Sequence, residues 1–242
     1  NKAGTITSGL DRFMEWKTKD GSYEETAYAQ FDTFYEGMFQ KARLLDILKN
    51  FILFSGTGAG RFKVLAGYHQ YFAVRKAIEK AKIATKTDGK GGVFWHTQGS
   101  GKSYSMVMFA RKVKRKIPGN FSFLIVTDRE DLDTQIHKNF VHTEVIGNKE
   151  ECQPKDSKQL REFLQTNKGF IFTLIHKFRY DKGKKYPVLT TRDDIIVLVD
   201  EAHRTQYKDL AENMRTALPN ANYIAFTGTP LLGAKRLTNQ WF

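Results

Sequence analysis

The sequence predicts an α/β fold in which a parallel β-sheet has helices on both faces and is preceded by a mainly helical segment. Short apolar runs rich in β-branched and aromatic residues recur after Gly91, and the segments between them are long enough for crossover helices. The runs are continuously apolar, which indicates strands buried on both faces, as in βαβ units. Before about residue 85 the apolar side chains follow helical spacing instead.

The predicted strands share this continuous apolar character and lie at residues 93–95, 121–126, 170–175, 195–199 and 223–226. Helical spacing predicts one helix over 35–54 and a second over 69–84, with the glycine-rich stretch 55–60 between them. We therefore divide the chain into a helical N-terminal segment, 1–84, and a sheet domain, 85–242.

Charge and composition narrow the functional class. The 242 residues carry a formal net charge of +13, which favours a polyanionic partner such as nucleic acid. The longest aliphatic run, 195–199, is far shorter than the roughly 20 residues of a membrane-spanning helix, so we expect no membrane association. A single cysteine, Cys152, favours the reducing cytoplasm. Because the chain starts at Asn1 without a methionine, we expect a piece of a longer protein.

A candidate phosphate loop follows the first predicted strand and precedes a helical pattern. Glycines in such a turn let backbone N–H groups point at phosphate oxygens beside the positive helix end. Lys102 can reach the β and γ phosphates of ATP, and the Ser103 hydroxyl can ligate Mg²⁺. His96 stands where the strict pattern requires glycine, and an ordinary glycine-rich turn is the alternative. The expected nucleotide-binding residues are Thr97, Gln98, Gly99, Ser100, Gly101, Lys102 and Ser103.

Two acidic residues, Asp200 and Glu201, come directly after the apolar run 195–199. A strand end holds a carboxylate rigidly, so Asp200 can hold Mg²⁺ while Glu201 polarises the water that attacks the γ-phosphate. Lys102, Asp200 and Glu201 are therefore the candidate catalytic residues. The alternative is a solvated helix N-terminus, where acidic residues are favoured by the dipole.

The sequence Thr227-Gly228-Thr229-Pro230 follows the last predicted strand. In parallel sheets, binding sites usually lie at the carboxyl ends of the strands, which is where this sequence falls. The alternative is a simple turn, which would have the same composition.

The phosphate loop, the Asp200-Glu201-Ala202-His203 sequence and the Thr-Gly-Thr-Pro sequence, in this order and each after a strand, resemble the first RecA-like domain of superfamily 2 helicases and translocases. Further strings narrow the resemblance to the motor, or R, subunit of type I restriction enzymes, in which a histidine is common at the start of the phosphate loop. These strings are GYHQYFAVR at 67–75, WHTQGSGKS at 95–103, TDREDLDTQ at 127–135 and DEAHR at 200–204. The opening TSGLDRFMEW at 7–16 resembles the link between that family's nuclease and motor domains.

The resemblance implies roles for residues outside the phosphate loop. Gln70 would recognise adenine, since its amide offers a donor and an acceptor together. His203, Thr227 and Thr229 would relay the nucleotide state to the DNA side. The alternative for Gln70 is a surface glutamine on an amphipathic helix.

The resemblance also implies DNA contacts from the strand-end residues Asp128, Arg129 and Gln135, and a phosphate contact from Lys177. A charged helix cap is the alternative for the first group. Two basic stretches, 85–117 and 177–192, could also face a phosphate backbone, although such runs are more often solvated surface.

The function implied is that of a type I site-specific deoxyribonuclease, which uses ATP and Mg²⁺ to translocate double-stranded DNA and cleaves it together with methyltransferase and specificity subunits. The family's nuclease domain and second RecA-like domain have no counterpart in these residues. The second domain supplies an arginine worth about 10³–10⁵ in turnover, so we expect the isolated chain to hydrolyse ATP barely, if at all. The alternatives are another superfamily 2 DNA or RNA helicase domain, and a nucleic-acid-binding module with a vestigial ATP site.

Overall fold

A computed structural model describes residues 2–22, 30–56, 58–84, 86–97, 99–146, 151–181, 184–200, 208–228 and 242. The described strands are β1 (Lys2–Ala3), β2 (Met14–Glu15), β3 (Ile52–Ser55), β4 (Phe62–Leu65), β5 (Lys90–Trp95), β6 (Ser122–Thr127), β7 (Phe170–Leu174), β8 (Ile195–Asp200) and β9 (Asn222–Thr227). The described α-helices are α1 (Phe31–Met38), α2 (Lys41–Asn50), α3 (Tyr68–Ala84), α4 (Lys102–Lys116), α5 (Glu130–His142), α6 (Ser157–Gln165) and α7 (Lys208–Ala217). Among these helices, none combines the length and apolar character needed to cross a membrane.

The central sheet has five strands in the order β5-β9-β8-β6-β7, and all its pairs are parallel. Each predicted apolar run is one of these strands. The register places Trp95 opposite Thr227 and Asp200 opposite Phe226, so the carboxyl ends of β5, β9 and β8 meet at one edge. The predicted parallel α/β fold is confirmed.

Helices cover both faces of the sheet, as β6 illustrates. Its residues Phe123 and Ile125 belong to a hydrophobic cluster with α3, α4 and α5. The alternating residues Leu124 and Val126 belong to a second cluster with α6 and α7. Since successive side chains of a strand point to opposite faces, the two clusters are the two faces of one sheet.

The N-terminal segment is mainly helical, as predicted, and contains α1, α2 and α3 together with two antiparallel hairpins, β1–β2 and β3–β4. The helix predicted over 69–84 is confirmed as α3. The single helix predicted over 35–54 is wrong. Gln40 caps α2, because its side-chain oxygen accepts a hydrogen bond from the Arg43 N–H at 3.3 Å. The last three residues of the predicted helix, 52–54, instead belong to β3, which pairs with β4 and in which Leu53 is fully buried.

One hydrophobic core joins the N-terminal segment to the sheet. Trp16, Phe51 and Tyr71 belong to the same buried cluster as Met106 of α4 and Ile196 of β8. The rings of Phe51 and Tyr71 lie 4.7 Å apart between their centroids. The boundary at 84/85 remains a prediction, and it falls within a continuous core.

Phe51→Ala tests whether that core folds as one unit. The side chain is fully buried, so its removal should lower the free energy of unfolding by about 3–5 kcal/mol. Urea unfolding followed by far-ultraviolet circular dichroism and by tryptophan fluorescence should show one transition that moves as a whole. Phe31→Ala, at a residue 61% exposed, is the matched control and should change stability by less than about 1 kcal/mol. An unmoved circular-dichroism midpoint would instead indicate two independent units.

Candidate functional site

The candidate site lies where the carboxyl ends of β5, β9 and β8 meet. The backbone N–H of His96 donates to the Thr227 carbonyl at 3.0 Å and fixes the start of the phosphate loop beside β9. Lys102 begins α4, and its Nζ lies 3.8 Å from Oδ1 of Asp200. The two side chains are only 12% and 6% exposed. The fold therefore brings together two of the three predicted catalytic residues as a shielded ion pair, although they are far apart in sequence.

The phosphate loop turns at two glycines with positive φ, Gly99 at 82° and Gly101 at 80°. Side chains are disfavoured in this left-handed region, so both positions favour glycine. At Gly101 space is a second constraint, because a Cβ there would lie 2.8 Å from Nε2 of Gln70. Between the glycines, the Ser100 hydroxyl donates to the Thr97 carbonyl at 2.6 Å. The loop conformation thus has both local and tertiary causes.

Gln70 holds the phosphate loop from α3. Its side chain is 4% exposed, and Nε2 donates to the Gly101 carbonyl at 3.0 Å and to Oγ of Ser105 at 3.2 Å. Its Oε1 accepts from the Gly67 N–H at 3.0 Å. Both ends of the amide are therefore engaged within the protein. The contact between Gln70 and adenine remains a prediction, and it requires the amide to exchange at least one of these partners.

Two histidine rings lie against the loop. His96 is 7% exposed and packs between Phe94 and His69, with ring centroids at 4.6 and 4.9 Å. Nε2 of His69 lies 3.4 Å from the Ser100 carbonyl oxygen. Burial lowers the pKa of His96 from 6.5 to about 4, with smaller contributions from His69 and Lys102. Burial lowers the pKa of His69 as well. Both rings are therefore neutral near pH 7.

The predicted magnesium ligands fit a hard cation in their chemistry. Ser103 is the second residue of α4 and is half-buried, while Asp200 ends β8 and is buried. Hydroxyl and carboxylate oxygens suit Mg²⁺, which usually takes few protein ligands together with nucleotide phosphates. Over the described ranges there is no group of three or more His, Cys, Asp or Glu residues that could hold a metal by itself. The residues present thus suit an ion shared with a nucleotide.

Four predicted site residues lie outside the described residues, namely Gln98, Glu201, His203 and Thr229. Of the three coupling candidates, the structure therefore describes Thr227 alone. It ends β9, is fully buried, and lies between the phosphate loop and β8.

The DNA-contact candidates occupy the same edge of the sheet, farther along it. Asp128 follows β6 and is 9% exposed, with Oδ2 3.9 Å from Nε of the exposed Arg129. Gln135 is exposed on α5. Lys177 follows the adjacent strand β7, and its Nζ donates to the Pro154 carbonyl. The buried carboxylate of Asp128 is suited to orienting Arg129. A direct contact between this carboxylate and a DNA phosphate would be repulsive.

Three residues at the site were missed by the sequence prediction. Ser105 receives the second Gln70 hydrogen bond, and His69 lies against the loop carbonyl of Ser100. Trp95 is 61% exposed, and its Nε1 donates to the Gly228 carbonyl at 3.1 Å. The string GYHQYFAVR included His69 without indicating its contact. Likewise, the string WHTQGSGKS included Trp95 without indicating its contact, and no sequence signal marks Ser105, whose partner lies on another segment.

The fold and this site define the class of the protein. A family model described as SWI2/SNF2 ATPase matches residues 69–242, and the chain belongs to that family.

The chain is also similar to endonuclease subunits of type I restriction enzymes, as the sequence motifs indicated. It is 37% identical over 253 residues to the HindI endonuclease subunit of Haemophilus influenzae. It is 34% identical over 255 residues to the MjaIXP endonuclease subunit of Methanocaldococcus jannaschii. Each match covers 95% of this chain and 24% of the relative, so the chain spans about a quarter of their length. The resemblance to this subunit family is confirmed.

A solved structure supports the fold alone. The UvsW helicase of bacteriophage T4 matches with a TM-score of 0.56 and 13% sequence identity, over 84% of this chain and 64% of the helicase.

Gln70→Ala distinguishes a loop contact from a base contact. Removing the amide frees the Gly101 carbonyl and should weaken binding of MgATP roughly tenfold, given about 1–1.5 kcal/mol for a buried hydrogen bond. The variant should also bind magnesium tripolyphosphate, which has no base, more weakly by a similar factor in calorimetric titrations. Gln165→Ala, on the exposed end of α6, is the control. Unchanged tripolyphosphate affinity would assign Gln70 to the base alone.

His96→Phe tests the neutral histidine at the loop. The unfolded chain takes up a proton near pH 6.5 that folded His96 takes up only near pH 4, so acid favours unfolding. The free energy of unfolding should fall as the pH drops below about 6.5, by about 2 kcal/mol from this residue at pH 5. Between pH 7.5 and pH 5, the free energy of unfolding measured with urea should fall by about 2 kcal/mol less in the variant than in the unchanged chain. The control is His142→Phe, at an exposed position. If the free energy of unfolding depended on pH equally in the two variants, His96 would not be the source of the acid sensitivity.

Proposed function

We propose that the chain is the ATP-binding motor part of an ATP-dependent double-stranded DNA translocase, within the R subunit of a type I restriction enzyme that cleaves DNA. The observation that carries the proposal is the meeting of Lys102 and Asp200 at 3.8 Å across the ends of β5 and β8. A phosphate-loop lysine beside a strand-end carboxylate is the arrangement that a nucleotide with its metal requires. Similarity to type I endonuclease subunits over 95% of the chain supports the choice among motors.

The loop residues divide the binding of ATP between them. Backbone N–H groups from Thr97 to Ser103 would face the phosphates, at the positive end of the α4 dipole. Lys102 would exchange the Asp200 carboxylate for oxygens of the β and γ phosphates. Ser103 and Asp200 would then hold Mg²⁺, which neutralises charge on the phosphates when bound. Glu201 would polarise the attacking water.

Thr227 would couple this site to DNA, together with His203 and Thr229. The carbonyl of the buried Thr227 accepts a hydrogen bond from the backbone N–H of His96. A shift of the loop would therefore move the end of β9. The DNA contacts proposed for Arg129 and Lys177 follow the ends of β6 and β7, two of the strands beyond β9 in the sheet order, and the one proposed for Gln135 lies on α5, the helix after β6. The net charge of +13 favours a polyanion at this surface.

The rest of the proposed enzyme would lie in the remaining three quarters of the subunit's length and in other chains. A nuclease domain would cut DNA, and a second RecA-like domain would supply the arginine that speeds hydrolysis by about 10³–10⁵. Methyltransferase and specificity subunits would complete the complex in the cytoplasm. The chain by itself is therefore proposed to bind ATP with little turnover. Against a vestigial site stands the shielded pairing of Lys102 with Asp200, which a nucleic-acid-binding module does not need.

Lys102→Ala is the test of the nucleotide site. Calorimetric titration with MgATP should show saturable binding to the unchanged chain. The variant should bind roughly 10- to 150-fold more weakly, because a hydrogen bond to a charged group contributes about 1.5–3 kcal/mol. Lys86→Ala, at an exposed lysine after α3, is the matched control and should bind like the unchanged chain.

Equal MgATP affinity in the Lys102 variant and its control would refute the site assignment. A folded, unchanged chain that fails to bind MgATP would favour the vestigial alternative. Thermal melting of each variant establishes that it is folded.

A further inference from the structure

A second basic surface lies outside the nucleotide site, in a cavity of about 570 Å³ between α2, α3 and α4. We call it the basic groove, defined by Lys49, Arg75 and Lys116, with Arg43 and Asp46 also in its lining. Lys49, Arg75 and Lys116 are exposed. Four cations thus face a single carboxylate.

That carboxylate is neutralised from within the protein. Asp46 Oδ2 accepts from Nζ of Lys112 at 2.6 Å, and Oδ1 accepts from Nδ2 of Asn50 at 2.7 Å. Lys112 is 8% exposed and has its Nζ 4.6 Å from the centre of the Phe51 ring. Because Asp46 is occupied by this buried lysine, it does not cancel the charges at the rim. The groove therefore presents a positive surface on a rigid floor.

The floor also orients an arginine of the groove. Arg75 donates from a terminal guanidinium nitrogen to the Tyr71 hydroxyl at 3.3 Å, and its Cζ lies 5.6 Å from the centre of the same ring. Arg43 is less available, since it donates to the carbonyls of Glu36 and Gly37. An oriented guanidinium loses little conformational freedom when it binds phosphate. Arg75 is therefore the preorganised member of the groove, and Lys49 and Lys116 are its exposed companions.

The groove is remote from the nucleotide. Lys102 and Lys116 begin and end the same helix, α4, and 14 helical steps of 1.5 Å separate them by about 21 Å. α4 starts at the carboxyl edge of the sheet, so Lys116 lies toward the opposite edge. The DNA-contact candidates Arg129 and Lys177 follow the carboxyl ends of β6 and β7. The groove is thus a separate surface from the strand-end edge of the motor.

We propose that the basic groove binds backbone phosphates of duplex DNA, as a second contact surface away from the strand ends. Duplex DNA carries about one negative charge per 1.7 Å of its axis, so a groove with three exposed cations meets several phosphates at once. An acidic protein segment is the other occupant that such a charge could attract. DNA is favoured because the whole chain carries +13, a field that acts on a long polyanion. The inference rests on the proposed function, since it adds a DNA contact to the same motor.

The test compares two triple variants of the 242-residue chain. The groove variant is K49E/R75E/K116E, and the control is K2E/K80E/K158E, which makes the same number of charge reversals at exposed lysines outside the groove and outside the two basic stretches. Binding of a fluorescent 30-base-pair duplex is measured by anisotropy over a series of salt concentrations. MgATP binding by calorimetry is measured in parallel.

The groove variant should bind the duplex at least roughly tenfold more weakly than the control at 0.1 M salt. Its slope of log affinity against log salt should be smaller by about 3, since each phosphate contact contributes about 0.9. MgATP affinity should match that of the unchanged chain, because the groove lies far from the loop. Duplex affinity and slope equal to those of the control would overturn the proposal and leave the groove to an acidic protein partner.

A neutral variant covers the case in which charge reversal unfolds the chain. K49Q/R75Q/K116Q removes the charges without adding repulsion, and it should reproduce the smaller slope with an unchanged melting temperature. An unchanged slope in this variant also overturns the proposal. Failure of MgATP binding by the unchanged chain would refute the nucleotide site, whereas the duplex titrations judge the groove independently.

Discussion

The candidate site depends on the parallel register of β9 between β5 and β8. This register sets Trp95 beside Thr227 and Asp200 beside Phe226, so three strand ends finish at the same level. Only then can the lysine that starts α4 reach across to within 3.8 Å of Asp200. A shift of one residue would exchange the two faces of a strand and expose apolar side chains that are now buried. The core therefore enforces the alignment that the chemistry needs.

The second constraint is the contact between α3 and the phosphate loop. Gln70 is buried and bonded to Gly101, so the conformation of the loop depends on a helix that precedes the sheet domain. In an interior of low polarity, such a bond is costly to leave unmade. The N-terminal segment is consequently a structural part of the candidate site as well as a neighbour of it, which agrees with the single core that contains Trp16, Phe51 and Ile196.

Charge is distributed unevenly over this architecture. At the carboxyl edge, Lys102 is paired with Asp200 and the nearby histidines are neutral at pH 7. Toward the other end of α4, Lys112 is buried against Asp46, and the cations around it remain exposed. A buried ion pair adds little net stability because both charges lose water, but it holds its members in place. The exposed cations of the basic groove thus surround a buried ion pair that is held in place.

The sequence alone determined the five sheet strands, helix α3 and the positions of the phosphate loop and Asp200, because each is marked by local composition or by a short motif. It did not determine where the helix predicted over 35–54 breaks, since β3 is made a strand by pairing with β4. The partners of Gln70 and the pairing of Asp46 with Lys112, 66 residues away, were likewise decided by tertiary structure. A side chain such as glutamine or lysine can serve a ligand, solvent or the protein interior equally well by its chemistry. Which of these it meets depends on the packing of distant segments, and local sequence contains no record of that packing.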